Sequence, residues 1–254
     1  MADGFLKASI RRLLPKRVGP HWILSGPLRG FRIVTSWHDY PAAILGRTER
    51  ALLEWFDLNV RPGDTWLDVG AHYGYTALAL SRLVGPAGRV FAFEPMVTTA
   101  GHLGSTVSLN RLKQLTVIPC GLGAPENVEL KRLPAVRGMV DSTVAGDRHW
   151  MEGFLVARLD WLWPAIAGVK QRIDGVKVDV QGMEIEALNG MSLLLRRFRP
   201  KLVIEVHRGV DRRQLLDSLE SLGYLRAGSP IEPAQAEALP EYLDDRSYCW
   251  SRRE

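Results

Sequence analysis

Three side chains with complementary proton chemistry stand at the ends of two short apolar runs late in the chain. Residues 174–190 read DGVKVDVQGMEIEALNG, in which Val176, Val178 and Val180 alternate with Lys177 and Asp179 before Gly182 breaks the run. Residues 201–207 read KLVIEVH, apolar from Leu202 to Ile204, with Glu205 and His207 emerging at the end. If the two runs are neighbouring parallel strands, Asp179, Glu205 and His207 meet over one crevice. An imidazole that titrates near neutral pH is the natural general base, with one of the two acids as the alternative, which makes these three the candidate catalytic residues. The two carboxylates, Asp179 and Glu205, would orient a hydroxyl or hold Mg²⁺, which prefers oxygen ligands. Glu184 reads only as an acid that favours the N-terminus of its helix.

The second chemical stretch is DTWLDVGAHYG, Asp64 to Gly74. An apolar run from Trp66 to Val69, interrupted by Asp68, breaks at Gly70 into a turn that ends at Gly74, and YTALALSRLVG follows with helical spacing of Ala77, Leu80 and Leu83 or Val84. Strand, glycine loop and helix start form an adenosine-cofactor signature. A dinucleotide fold needs G-x-G-x-x-G to close on a pyrophosphate, whereas here only Gly70 and Gly74 are glycine. A D-x-G-x-x-x-G loop suits S-adenosylmethionine, which has no phosphate. In that reading Gly70, Ala71, Tyr73 and Gly74 wrap the methionine part and Asp68 holds its ammonium end. RVFAF, Arg89 to Phe93, then ends on Glu94 and Pro95, placing a carboxylate where two ribose hydroxyls can donate to it. That acid would serve a nicotinamide equally, so the glycine pattern decides. A third strand, LTVIPCGLG, brings Cys120 and Gly121 near the adenine.

These tips require a doubly wound α/β sheet. Thr48 to Leu58 carries Leu52, Leu53 and Phe56 on a helical face, with Thr48 as N-cap. A helix from about Thr98 to Asn110 follows the second strand. Residues 127–158 interrupt the βα rhythm and read as an inserted hairpin and loop, a candidate acceptor lid containing Asp141, Ser142, His149 and Trp150. Near it, Trp150, Trp161 and Trp163 are candidates to stack on sugar faces. Asp211 to Leu222 is a further helix, YLRAG a strand, and Arg246 to Arg252 a last, antiparallel strand. HWILSGPLRGFRIVTSW suggests short strands packed outside the sheet, so residues 1–45 read as a basic arm and cap and 46–254 as the main domain.

At 254 residues and 46% hydrophobic, the chain can bury a full core. The net charge of +5 is unevenly placed: residues 1–32 hold seven lysines and arginines against Asp3 alone, and the body is near neutral. A nucleic-acid enzyme would carry a basic surface around its site, so no nucleic-acid partner is expected. Phe5, Ile10, Leu13 and Leu14 could line one side of an amphipathic helix in the arm, making peripheral contact with acidic membrane lipid or with a partner subunit, a second copy of the chain included. Two cysteines without metal spacing, no long apolar run and no secretion signal point to a reducing, cytoplasmic setting.

LDVGAHYGYTALAL, FAFEP, VKVDVQGMEIEALNG and IEVH, in that order, resemble the FkbM family of S-adenosylmethionine-dependent methyltransferases. The resemblance spans about residues 45–225. Its most specific element is the pattern K-x-D-x-E-G-x-E, here Lys177, Asp179, Gln181, Gly182 and Glu184, with Gln181 where the family usually has Glu. It implies the Rossmann-like, seven-stranded class I methyltransferase fold with helices on both faces. It also implies O-methylation, often of sugars or glycosylated metabolites. A non-sugar acceptor is the alternative, as is a cofactor-binding subunit whose chemistry belongs to a partner; the amide at Gln181 keeps the latter open.

Overall fold

A computed structural model describes residues 13–136, 138–140, 151–168, 171–232, 242 and 244–253. The chain opens with a two-stranded antiparallel ribbon, β1 (Gly19–Trp22) and β2 (Arg32–Thr35), followed by helices α1 (Pro41–Leu45) and α2 (Arg50–Asn59). Strands and helices then alternate through β3 (Thr65–Val69), α3 (Tyr75–Val84), β4 (Arg89–Phe93), α4 (Val97–Asn110) and β5 (Leu115–Ile118). A small sheet of β6 (Gly121–Leu122), β7 (Glu129–Val136), β8 (Met139–Val140) and β9 (Met151–Ala157) interrupts the rhythm where the inserted hairpin was expected. After it come α5 (Leu159–Ile166), β10 (Gly175–Val178), α6 (Glu184–Gly190), α7 (Ser192–Phe198) and β11 (Lys201–Val206). The described part closes with α8 (Arg212–Ser221), β12 (Ser229–Pro230) and β13 (Arg246–Trp250).

The main sheet has seven strands in the order β12-β13-β11-β10-β3-β4-β5. Those from β11 to β5 are parallel, and β13 lies antiparallel between β11 and β12. The chain builds outward from β3 through β4 and β5, then returns to β10 on the other side of β3. Strand order therefore reverses between β3 and β10, and a crevice opens at their carboxyl ends. Because both faces are covered, the strands are apolar almost throughout. Leu67, Val69, Val176, Val178, Leu202 and Ile204 face one core with Trp163 and Leu188. Trp66, Val90, Ala92 and Val203 face the other, with Phe56 and Leu78.

One ion pair sits inside this apolar layer. Lys177 is 3% exposed and lies opposite Asp68 in the β10–β3 register. Its Nζ is 3.3 Å from Asp68 Oδ1 and 3.0 Å from Asp179 Oδ2, and Thr76 Oγ1 donates to Asp68 Oδ2 at 2.7 Å. Burial alone would lower the Lys177 pKa, but Asp179 and Asp68 outweigh it and keep the ammonium protonated. The pair locks the two central strands in one register at the point where the crevice begins.

Several expectations shift. Helix α2 begins at Arg50 with Glu49 as N-cap at φ 53 and no side-chain cap, so Thr48 does not cap it. YLRAG is not a strand: Tyr224 makes an isolated bridge to Arg252, and the edge strand forms later at Ser229–Pro230. An edge position tolerates Pro230, which has no N–H to offer the ladder. The ribbon leans on α4, where Thr106 Oγ1 accepts from Val34 N and Asn110 Oδ1 from Arg32 N, outside the main sheet as expected. The arm helix, except for the exposed Leu13 and for Leu14, lies outside the described residues, as do Asp141, Ser142, His149 and Trp150. Among the described residues no helix is long and apolar enough to cross a membrane.

Replacing Lys177 by Met leaves Asp68, fully buried, without its countercharge, so the Lys177→Met protein should lose about 3–5 kcal/mol in urea denaturation. Combining it with Asp68→Leu should recover part of the loss. A single variant as stable as the parent would remove the pair from its organising role.

Candidate functional site

The loop after β3 is built by backbone closure. Gly70 N and Ala71 N both donate to Phe93 O, at 2.9 and 3.0 Å, tying the loop to the end of β4. Gly70 has φ +83, and a Cβ there would stand 1.7 Å from the Asp179 carbonyl oxygen, so only glycine lets the exits of β3 and β10 pass this closely. Gly74 caps α3 at φ 92, where a Cβ would meet Leu103 Cδ1 at 2.1 Å. Glu94 is 3% exposed; its Oε2 accepts from His72 N at 2.8 Å and its Oε1 from Met96 N at 3.0 Å. Burial pushes its pKa up to about 7, tempered by those two N–H donors. Each oxygen keeps a lone pair for another donor.

A cavity occupies the crevice. On the β3–β5 side it is lined by Gly70, Ala71, Glu94, Pro95, Cys120 and Gly121, and on the β10–β11 side by Lys177, Asp179, Gln181 and Glu205. Residues preceding the main sheet contribute as well: Asp39, Tyr40 and Glu49 line it, so the N-terminal region does more than cap the sheet. Three non-glycine residues at its wall have left-handed backbones, Glu49 (φ 53), His72 (φ 50) and Gln181 (φ 53). Each costs on the order of 1 kcal/mol or more, strain that concentrates at functional sites.

Four expected site residues do not reach the cavity. Asp68 is occupied by Lys177 and Thr76, so it acts through Lys177 and is not placed to hold an ammonium group. Tyr73 is turned away, its hydroxyl donating to Asp39 Oδ2 at 3.2 Å, and Gly74 serves the helix start. His207 is 4% exposed and lies behind Gln181, their Nε2 atoms 2.8 Å apart. Burial would lower the His207 pKa, but a 2.7 Å bond to Glu184 Oε1 and the charges of Asp179 and Glu205 raise it to about 9. Those charges favour its imidazolium form, and it does not face the cavity, so it does not stand where the expected base would meet a substrate. Glu205, which does face the cavity, is pushed up to about 8 by the nearby Asp179 charge and by burial. Asp179 is held below its ordinary value because Lys177 and His207 outweigh its own burial. The sequence did bring Asp179, Glu205 and His207 together, but Trp163 fills the core and Trp161 faces Arg158, and neither lines the cavity.

Sequence reasoning gave Lys177 and Glu184 no role at the site beyond their place in the family pattern, and it missed Asp39, Tyr40 and Glu49. A signal existed for the first two: a lone lysine within a valine alternation, and an acid fixed two residues after Gly182. Glu184 is no mere helix-end acid. It is fully buried, and its Oε1 accepts from both Gly182 N and His207 Nδ1.

The methyltransferase FkbM domain model matches residues 68–226. Among solved structures, methyltransferase FkbM from Methylobacillus flagellatus KT aligns over 82% of this chain at 20% identity and TM-score 0.50. This chain spans about half of that protein, 52% of its length. A putative rRNA-methylase from Clostridium thermocellum aligns over 80% of this chain and 94% of its own at 12% identity, TM-score 0.49. An S-adenosylmethionine-dependent O-methyltransferase from Thermotoga maritima covers 92% and 78% at 13% identity, TM-score 0.49. No curated protein matches significantly. The seven-stranded sheet is the class I methyltransferase fold. With the model match covering well over half of its length, the chain belongs to the FkbM methyltransferase family.

Proposed function

We propose that this protein is an S-adenosylmethionine-dependent O-methyltransferase whose acceptor is a hydroxyl of a sugar, glycan or glycosylated metabolite. The observation that carries the reading is one cavity spanning the switch point, with Glu94 on one side and Asp179 and Glu205 on the other. The residues present fit the cofactor. Glu94 retains lone pairs for ribose hydroxyls, Gly70 and Ala71 offer main chain without bulk, and Cys120 and Gly121 leave room beside Pro95 for a flat ring. Tyr75 belongs to the cavity wall, and its buried hydroxyl has no hydrogen-bond partner among the described residues, so a polar ligand would supply one.

When bound, S-adenosylmethionine supplies an electrophilic methyl; its S–C bond breaks as the C–O bond to the acceptor forms, and the hydroxyl proton must be taken up. Among the candidate catalytic residues Glu205 in its ionised form is the acceptor of that proton, so turnover rises as pH approaches its value of about 8; it faces the cavity while His207 stands behind Gln181 and Asp179 is engaged by Lys177. His207 and Asp179 then orient rather than deprotonate. Asp39, Glu49 and Glu205 give the acceptor side several carboxylates, suited to a substrate rich in hydroxyl donors.

Calorimetry should show S-adenosylhomocysteine binding and no binding of NAD; the opposite result would overturn the cofactor. Ribose hydroxyls donate to ionised Glu94, so at a pH below its value of about 7 binding must also expel a proton. Affinity should tighten by about tenfold from pH 6 to pH 8. Glu94→Gln should weaken binding by about 1–3 kcal/mol and flatten that rise. A pH-independent affinity in the parent would remove Glu94 from the ribose.

A mass-spectrometric screen of glycans and glycosylated metabolites with labelled S-adenosylmethionine should yield an O-methyl product. Glu205→Gln should lower turnover by about 10²–10⁴ with cofactor affinity retained. A product methylated only at nitrogen or carbon would contradict the acceptor, and an unaffected rate in Glu205→Gln would clear that residue as base.

A further inference from the structure

Asp179, Glu205 and His207 have a spacing that proton handling alone does not require. His207 Nε2 lies 3.5 Å from Asp179 Oδ1 and 3.5 Å from Glu205 Oε1, and the donor atoms of all three lie within 4.8 Å of one another. Charge-assisted hydrogen bonds close to about 2.7–2.9 Å. A tetrahedron with metal–ligand distances of about 2.0–2.2 Å has edges of about 3.3–3.6 Å. The two separations from His207 are those of ligands that converge on a shared ion rather than on each other.

Two of the three donors are also held from behind. Lys177 occupies Asp179 Oδ2 at 3.0 Å, which turns Oδ1 to the cluster. His207 donates Nδ1–H to Glu184 Oε1 at 2.7 Å, and Glu184 is fully buried. That carboxylate–imidazole arrangement is the one that keeps Nδ1 protonated and aims Nε2 at a metal, which displaces the Nε2 proton as it binds. Gln181, held at φ 53, brings its amide to 2.8 Å from His207 Nε2 and 3.5 Å from Asp179 Oδ1. Turning that amide about its last torsion presents its carbonyl oxygen as a fourth donor. Asp179, Gln181 and Glu205 line the cavity, so an ion here would stand at the acceptor side.

We propose that Asp179, Glu205 and His207, with Gln181 beside them and Glu184 orienting the imidazole, form a site for a divalent transition-metal ion. The imidazole is what selects the ion: a nitrogen ligand favours Mn²⁺, Co²⁺, Fe²⁺ or Zn²⁺, whereas the two carboxylates taken alone suggested Mg²⁺. Glu205 gives Oε1 to the ion and keeps its second oxygen for the proton. The site goes beyond the methyl-transfer reading and does not depend on it, because the ion binds without cofactor or acceptor.

The test is a titration of the metal-free full chain with Co²⁺, followed by visible absorption and calorimetry, with Mg²⁺ in parallel. One Co²⁺ per chain is expected, displaced by Zn²⁺ and bound at least tenfold more tightly than Mg²⁺. Glu184→Gln should weaken it by about 10–100-fold, as loss of an orienting partner does, and His207→Ala should abolish it. Glu205→Gln changes a side chain that is 20% exposed and is expected to keep the fold, verified by circular dichroism; it should weaken Co²⁺ at least tenfold. Absence of stoichiometric Co²⁺ binding at millimolar concentration would overturn the site, as would unchanged affinity in the Glu205→Gln protein. Either outcome leaves binding of S-adenosylhomocysteine, and so the methyl-transfer reading, untouched.

Discussion

The structure hangs on a cation buried between carboxylates at the centre of the sheet. Lys177 is placed on β10 by the same alternation that sends Val176 and Val178 into the opposite core, and it meets Asp68 because β10 and β3 pair in parallel. An ammonium taken from water costs several kcal/mol, which the protein recovers only with close partners on more than one side. Asp68 and Asp179 supply them, and Lys177 Nζ also reaches the Gly70 carbonyl oxygen at 3.4 Å. One side chain therefore links the glycine loop after β3 to the acid after β10. The two halves of the cavity inherit their relative position from that link.

The consequence is a division of labour between layers. Asp68 and Glu184 are fully buried and touch no ligand space; they hold Lys177 and His207, which in turn fix Asp179 and Glu205 at the cavity wall. The backbone takes part in the same way, with His72 and Gln181 kept in left-handed conformations beside glycines that let strand exits approach. Such strain persists only where the surrounding packing over-determines it.

How much of this was legible in the sequence follows from which interactions are local. The strand–loop–helix unit around Gly70, the acid at Glu94 and the tips carrying Asp179 and Glu205 could be read because parallel strands aim their ends at one crevice. Thr48 failed as a cap because the helix start is set by tertiary packing of Leu52 and Phe56, with Glu49 drawn to the cavity wall. Asp68 was assigned to a ligand because a sequence shows an acid near a loop but not its partner, more than a hundred residues later, on the adjacent strand. His207 was read as an ordinary imidazole; its charge state depends on Glu184, Asp179 and Glu205, which only folding gathers. The contribution of Asp39, Tyr40 and Glu49 left no pattern at all, since it comes from a connection folded over the crevice.

The central claim is that one cavity holds the cofactor against Glu94 and delivers its reactive end to Asp179 and Glu205. A crystal structure of the protein with S-adenosylhomocysteine tests it most directly. The account predicts the ribose hydroxyls on the Glu94 carboxylate, the main chain at Gly70 and Ala71 against the homocysteine, and the sulfur facing Asp179 and Glu205. A ligand seated outside this cavity, or one with its ribose away from Glu94, would contradict it.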